Sequence, residues 1–211
     1  MDEMEARSRL ESENLVPRET MAKLDRFAEM LREANSTQNL VAAASLNHVW
    51  ARHLLDSAQL VRFAPSPCSS WVDLGTGAGF PGLVVALIHG GPVTLVEERR
   101  LRVEFLREVA SQLGLSVEIL GEKVERVNAG PFDVISARAF APLDRLLDLG
   151  TRFSTAKTRW VLPKGRNAKT ELDALESSWQ GVFRLEQSLT DADAGIIIGE
   201  GVQRTGKRKK R

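Results

Sequence analysis

Residues 72–82 read VDLGTGAGFPG, a short apolar run and an aspartate followed by four glycines between positions 75 and 82. A strand that breaks into glycines and re-enters an apolar segment, here PGLVVALIH (81–89), reads as a strand-to-helix turn. Pro81 has no N–H to lose and fits the first turn of the helix that follows.

Working outward, RETMAKLDRFAEMLREA (18–34) sets Met21, Leu24, Phe27, Met30 and Leu31 at spacings of three and four, one apolar stripe on a helix. A second helical segment, roughly 46–62, carries Leu46, Val49, Trp50, Leu54 and Leu60. Beyond the loop at 65–70, the short strands SSWVDL, PVTLVE, SVEILG, FDVISA, TRWVLPKG and AGIIIGEG follow one another. Between them lie helical RLRVEFLREVASQLG, LDRLLDLGTRF and a helix around 168–179. Such alternation predicts a mostly parallel sheet covered by helices on both faces. The expected organisation is a helical extension over 1–65, an α/β domain over 66–203 and a basic tail over 204–211.

At 211 residues, 43% of them hydrophobic, the chain can bury one sizeable core. The N-terminus is acidic and no apolar run approaches the roughly 18 residues of a membrane span, which predicts a soluble cytoplasmic protein. A lone cysteine, Cys68, excludes an internal disulfide and a cysteine metal cluster. The net charge of +1 hides an asymmetry: RTGKRKKR holds six of the 29 basic side chains, leaving 23 against 28 acids, near −5, elsewhere. One basic end points to a polyanionic partner, or else to a solvated tail.

The glycine stretch admits two parses. Gly77, Gly79 and Gly82 fit the dinucleotide fingerprint G-x-G-x-x-G, with Glu97 ending the next strand as a ribose-binding acid. Counted from Asp73, the string is D-x-G-x-G-x-G over Gly75, Gly77 and Gly79, the pattern of loops that hold S-adenosylmethionine. A dinucleotide brings a pyrophosphate to the turn, which a carboxylate at Asp73 would repel. The methyl donor has no phosphate but carries an ammonium and a sulfonium, which a carboxylate suits. Pro81 also withholds one N–H from any phosphate cradle, so both features favour the second parse. Under either parse Glu97 would accept both ribose hydroxyls.

DLGTGAGFPG, with WARHLLDS (50–57), VTLVEERRLRVEFL (93–106) and FDVISARAFAPL (132–143), resembles the ribosomal RNA small subunit methyltransferase G family of bacterial guanine-N7 methyltransferases. The resemblance runs from about Asn39 to Lys164. It implies a class I S-adenosylmethionine-dependent methyltransferase fold, Rossmann-like, with a seven-stranded sheet and a helical N-terminal extension. It also implies methyl transfer to N7 of a guanine in 16S ribosomal RNA near the decoding centre, with S-adenosylhomocysteine as by-product. By position, Gly75 and Phe80 would contact the donor, Val124 and Glu125 would flank its adenine, and Arg138 would stand at the cofactor. Lys123 departs from the arginine that relatives carry two residues before that glutamate. A monomer acting on 16S RNA or the small subunit is expected.

The chemistry of the remaining residues is compatible with that implication. FDVISARAFAPL contains neither the Asn/Asp-Pro-Pro-aromatic motif of exocyclic amine methylation nor a cysteine for attack on a pyrimidine carbon. Guanine N7 already has a lone pair, so alignment of the reactants suffices. Arg138 would contact donor, guanine or phosphate, or alternatively pair with Asp133. Arg52 and Asp56, at i, i+4, form a helix-surface pair or, with His53, fold over cofactor or RNA. No metal is expected, since His53 makes no ligand motif with His48 or His89. Lys164, Arg166 and Lys169, with the tail, would supply phosphate contacts. Tyrosine is absent, leaving Phe80, Trp50 and Phe140 as candidates for base stacking. Two other readings remain open: an NAD(P)-dependent oxidoreductase on the first parse, and a ribosome-assembly factor that keeps a donor pocket without turnover.

Overall fold

The computed structural model describes residues 1–12, 16–175 and 178–205. The core of the molecule is a seven-stranded sheet in the order β3-β2-β1-β4-β5-β7-β6. Its strands are β1 (Trp71–Leu74), β2 (Val93–Val96), β3 (Val117–Leu120), β4 (Val134–Ser136), β5 (Arg159–Gly165), β6 (Trp179–Gln187) and β7 (Gly195–Arg204). β7 runs antiparallel to both of its neighbours, β5 and β6, and the pairs from β3 through β5 are parallel. Strand order reverses at β1, so the crevice for a ligand opens at the carboxyl ends of β1 and β4.

Parallel strands covered on both sides need apolar residues on both faces, and β1, β2 and β4 are buried throughout. The polar exceptions within β1 and β4 satisfy one another. Trp71 Nε1 donates to Ser136 Oγ at 2.9 Å, and Ser136 Oγ donates to Asp73 Oδ1 at 2.6 Å. The connecting helices are α5 (Gly82–Ile88), α6 (Arg100–Leu113), α7 (Leu143–Gly150) and α8 (Ala168–Asp173). α6 buries Val103, Leu106, Val109 and Leu113 and ends at Gly114, whose φ of 61° forms a left-handed cap.

The N-terminal region comprises α1 (Glu3–Ser12), α2 (Arg18–Asn35), α3 (Ala43–Leu46) and a continuous helical run from Trp50 to Phe63. That run begins as a π-helical turn (Trp50–Leu55), tightens through α4 (Asp56–Ala58) and finishes as a 3₁₀ turn (Gln59–Phe63). The five residues expected on the α2 stripe are all buried. Phe27 stacks on Phe80 of the glycine loop at 5.0 Å between centroids and meets Phe105 of α6 at 6.5 Å. Each such ring stabilises by about 1.5–3 kcal/mol when fully buried, so α2 is fastened directly to the loop that forms the site.

The structure departs from the sequence expectation after α8. The helix expected over 168–179 ends at Asp173, and Trp179 opens β6, a strand absent from the sequence reading. β6 lies at the sheet edge with one neighbour and an exposed face where Val182 is 71% accessible, so its composition carries little apolar alternation. Of the basic tail, only Arg204 and Thr205 fall among the described residues. Arg204 pairs with Asp148 and lies over the Trp179 ring at 5.2 Å.

Candidate active site

The glycine loop joins β1 to α5. Gly75, Gly77 and Gly79 take φ values of 68°, 61° and 93°, backbone that other residues adopt only under strain. At Gly75 space decides as well, because an added Cβ would stand 2.3 Å from Cδ2 of Phe140. Two carboxylates hold the loop's amides. Glu97, at the end of β2, accepts Gly77 N–H at 3.0 Å and Arg99 N–H at 2.9 Å, with Arg102 at 3.8 Å. Asp73 accepts Gly82 N–H at 2.9 Å, at the start of α5.

Asp73, the carboxylate that the sequence reading set near the donor's cationic groups, is engaged within the protein. It is fully buried, and its oxygens are committed to Gly82 and Ser136. Burial raises its carboxyl above the ordinary range, opposed by these hydrogen bonds. The consequence for ligand choice survives in another form. Amides that would cradle a pyrophosphate already face carboxylates, and Pro81 removes a further donor, so the loop suits a cationic ligand and not a dinucleotide.

Across the crevice, Arg138 follows β4 and reaches the π-helical turn. It donates to the Arg52 carbonyl at 3.0 Å, to Asp56 Oδ2 at 3.3 Å and to His53 Nδ1 at 3.1 Å. Asp133, the alternative partner, instead accepts from the Ser70 amide and hydroxyl. The Arg52–Asp56 pair, one of the two arrangements the sequence left open, gives way to Arg138–Asp56, and the Arg52 side chain is exposed. A guanidinium can only donate, so Nδ1 of His53 is the acceptor and Nε2 carries the proton. Nε2 then donates to Ser45 Oγ at 2.9 Å, and Ser45 Oγ donates to the Ala42 carbonyl at 2.7 Å. His53 also stacks on Phe80 at 4.9 Å, and Arg138 lies over that ring at 5.2 Å. Burial, then the charges of Arg138 and Arg52, push His53 down to about 3. Burial also lowers Arg138, against the pull of Asp56, and its guanidinium stays charged. A π-turn at such a place is a frequent companion of function.

The other residues separate. Phe80 turns its ring into the core, leaving its backbone to the loop, and Trp50 is likewise buried. Val124 is buried after β3, while Glu125 is half exposed and pairs with Arg145 of α7 at 3.1 Å. Lys164 is not the phosphate-facing cation expected. Its side chain is only 7% exposed, and its ammonium donates to the Ala141 carbonyl at 2.6 Å and pairs with Glu171 at 3.0 Å. Arg166 is 71% exposed, near Asp191 and Asp193. Lys169 pairs with Asp173 on its own helix.

A cavity of 1360 Å³ opens beside this network, lined among others by Arg52, Asp56, Arg138, Phe140, Lys164 and Arg166. Clefts for small ligands typically measure about 300–1,000 Å³, so there is room for more than a single small molecule. One wall is the β6–β7 connection, which the sequence left unread. Buried Gln59 holds it by donating to Ser188 Oγ at 3.2 Å and accepting from Leu189 N at 2.8 Å. Thr190 donates to Asp56 at 3.0 Å.

Comparison with known proteins decides the lineage. The family described as rRNA small subunit methyltransferase G matches residues 20–194. The chain belongs to this family. The ribosomal RNA small subunit methyltransferase G of Rhizorhabdus wittichii is 50% identical over 214 residues, covering 100% of this chain and 98% of the relative. Among solved structures, cofactor-bound Rv0187 from MTB aligns with a TM-score of 0.60 at 14% identity, over 85% of this chain and 89% of that one. M. jannaschii TYW2 in complex with AdoMet aligns at 0.53 and 13% identity, over 71% and 75%. The fold of this methyltransferase G family member is that of class I S-adenosylmethionine-dependent methyltransferases. The GTGAGFPG loop and the Arg138 network sit at its switch point, and no described helix is long and apolar enough to cross a membrane.

Proposed function

We propose that the chain transfers a methyl group from S-adenosylmethionine to N7 of a guanine in 16S ribosomal RNA, near the decoding centre, acting as a monomer in the cytoplasm. The observation that carries the donor assignment is buried Asp73, whose carboxylate takes the Gly82 N–H at the start of α5 and so occupies a donor that a pyrophosphate would need. Gly75, Gly77, the Phe80 backbone, Val124, Glu125 and Arg138 would hold the donor, and Glu97 would turn to its ribose. When bound, the donor supplies an electrophilic methyl that passes to the N7 lone pair as its C–S bond breaks, leaving a neutral thioether and a cationic purine with no proton released.

The residues on the acceptor side fit a reaction without a base. His53 has its Nδ1 lone pair engaged by Arg138 and its Nε2 proton engaged by Ser45, so it orients and does not take up a proton. Cys68 lies exposed before β1, at the opposite ends of the strands from the cavity. Arg52 and Arg166 flank the cavity with exposed guanidinium groups that would meet phosphates without reading bases.

Calorimetric titration with S-adenosylmethionine, S-adenosylhomocysteine and NADPH, each alone, tests the donor. Micromolar binding of the first two supports the reading, and binding of NADPH alone overturns it. Methylated 16S RNA is then reduced and cleaved with aniline, which breaks the strand at N7-methylguanine. Incorporation of label without such cleavage would place the methyl on another atom.

A further inference from the structure

The loop after β4, Ala137–Pro142, is pinned at both ends and released in the middle. Upstream, Arg138 is held by the Arg52 carbonyl, Asp56 and His53. Downstream, buried Lys164 holds the Ala141 carbonyl at 2.6 Å, while Glu171 accepts Leu143 N–H at 2.8 Å and pairs with Lys164. Between the pins Ala139 takes φ 50°, a left-handed backbone that a non-glycine residue keeps only when its surroundings enforce it. The residue so presented is Phe140. Its ring lies against Gly75 on one side, and on the other it lines the cavity. It is the partition between the donor loop and the space for the acceptor.

We infer that Phe140 is the platform on which the acceptor guanine stacks, an assignment that rests on the function proposed above. Among the described residues lining the cavity it is the only phenylalanine or tryptophan, and the chain contains no tyrosine. The other two candidates, Phe80 and Trp50, are 3% and 7% exposed and face the core. A purine stacked on the cavity side of a ring that touches Gly75 lies beside the glycine loop, which is where N7 must meet the donor. Stacking accepts any base, so Phe140 sets the plane and position of the purine, while discrimination falls to groups at its edge. Lys164 and Glu171 act through Phe140 as positioning residues.

The test uses the full chain and two substitutions. Phe140→Leu keeps apolar bulk against Gly75 but removes the π face, and Phe140→Tyr keeps both. Donor affinity is measured by calorimetry, and KM and kcat by methyl transfer to small subunits. Phe140→Leu is expected to bind the donor within about twofold of wild type and to lose about 10- to 100-fold in kcat/KM for RNA, the range of one base–aromatic stack. Phe140→Tyr is expected to stay within about threefold of wild type. Full transfer by Phe140→Leu overturns the platform, as does a large loss of donor affinity with RNA parameters unchanged, which would put the ring in the donor pocket. If the wild type itself methylates no guanine N7, the function fails instead, and the two failures are told apart.

Discussion

Arg138 Nη2 stands 3.1 Å from Nδ1 of His53 and fixes that imidazole in its neutral form. An imidazolium would present an N–H to the guanidinium and lose the lone pair that accepts from Arg138 Nη2. The unfolded chain, with an ordinary histidine near 6.5, binds more protons than the folded one between about pH 3 and 6.5. Stability therefore rises with pH across that window, is complete above it and is lost as pH falls. The contribution is on the order of a few kcal/mol. Urea unfolding of wild type and His53→Gln from pH 4 to 8 checks this: the slope between 4 and 6.5 should flatten in the variant, whose amide offers an acceptor and a donor but does not titrate. An unchanged slope would assign the acid sensitivity to another group.

Gly75 and Gly77 share a left-handed backbone and differ in what surrounds them. At Gly77 the nearest atom to an added Cβ is Arg102 Nη1 at 3.5 Å, so Gly77→Ala costs only the φ penalty, about 1–2 kcal/mol. Gly75→Ala would also drive its methyl into Phe140 and displace the β4 loop. Thermal melts should show comparable losses if the loop yields. Donor titration should separate the pair, with Gly75→Ala weaker by about 100-fold and Gly77→Ala by about 10-fold, the larger loss adding about 1.4 kcal/mol. Equal losses would mean that the Phe140 contact is incidental.

The reach of sequence reading follows from where burial lies. Buried strands such as WVDL and VTLV are apolar on both faces and stand out, and the α2 stripe repeats at helical spacing. β6 is wetted on one side and interrupted by Gly181, so its residues resemble a helix followed by a loop. The glycine loop was legible because positive φ restricts composition. The partner of Arg138 was not, because Asp56 lies 82 residues away and nothing local distinguishes it from Asp133. Lys164 shows the same limit in reverse: a basic cluster reads as a polyanion site until burial shows one member turned inward.

Lys164 and Arg166, neighbours in sequence, should behave as different kinds of residue. Lys164→Met leaves the Ala141 carbonyl unpaired and Glu171 without its cation, and should destabilise by about 1–3 kcal/mol. Arg166→Ala removes an exposed group and should change stability by less than about 0.5 kcal/mol. In RNA binding the order inverts for salt dependence. Arg166→Ala should lower the slope of log K against log salt by about one, and Lys164→Met should leave it unaltered. A salt effect from Lys164→Met would mean that its ammonium turns outward to meet RNA.

The N-terminal helix reaches the site through one carboxylate. Glu3 accepts the N–H groups of Trp50 at 3.0 Å and Ala51 at 2.9 Å, two donors that the start of the π-turn leaves without a helical partner. Arg7, four residues on, lies over the Trp50 ring at 4.7 Å and so fixes the same turn from α1. Because His53 and the Arg52 carbonyl, both on this turn, hold Arg138, loosening it should be felt at the donor site as well as in stability. Glu3→Ala should cost about 1–2 kcal/mol, a fall of about 2–8 °C in Tm for a chain of this size. Donor affinity should weaken several-fold, while Glu3→Gln, which keeps one acceptor, should fall between. If Glu3→Ala lowered Tm without touching donor binding, α1 would brace the fold and have no part in setting the Arg138 network.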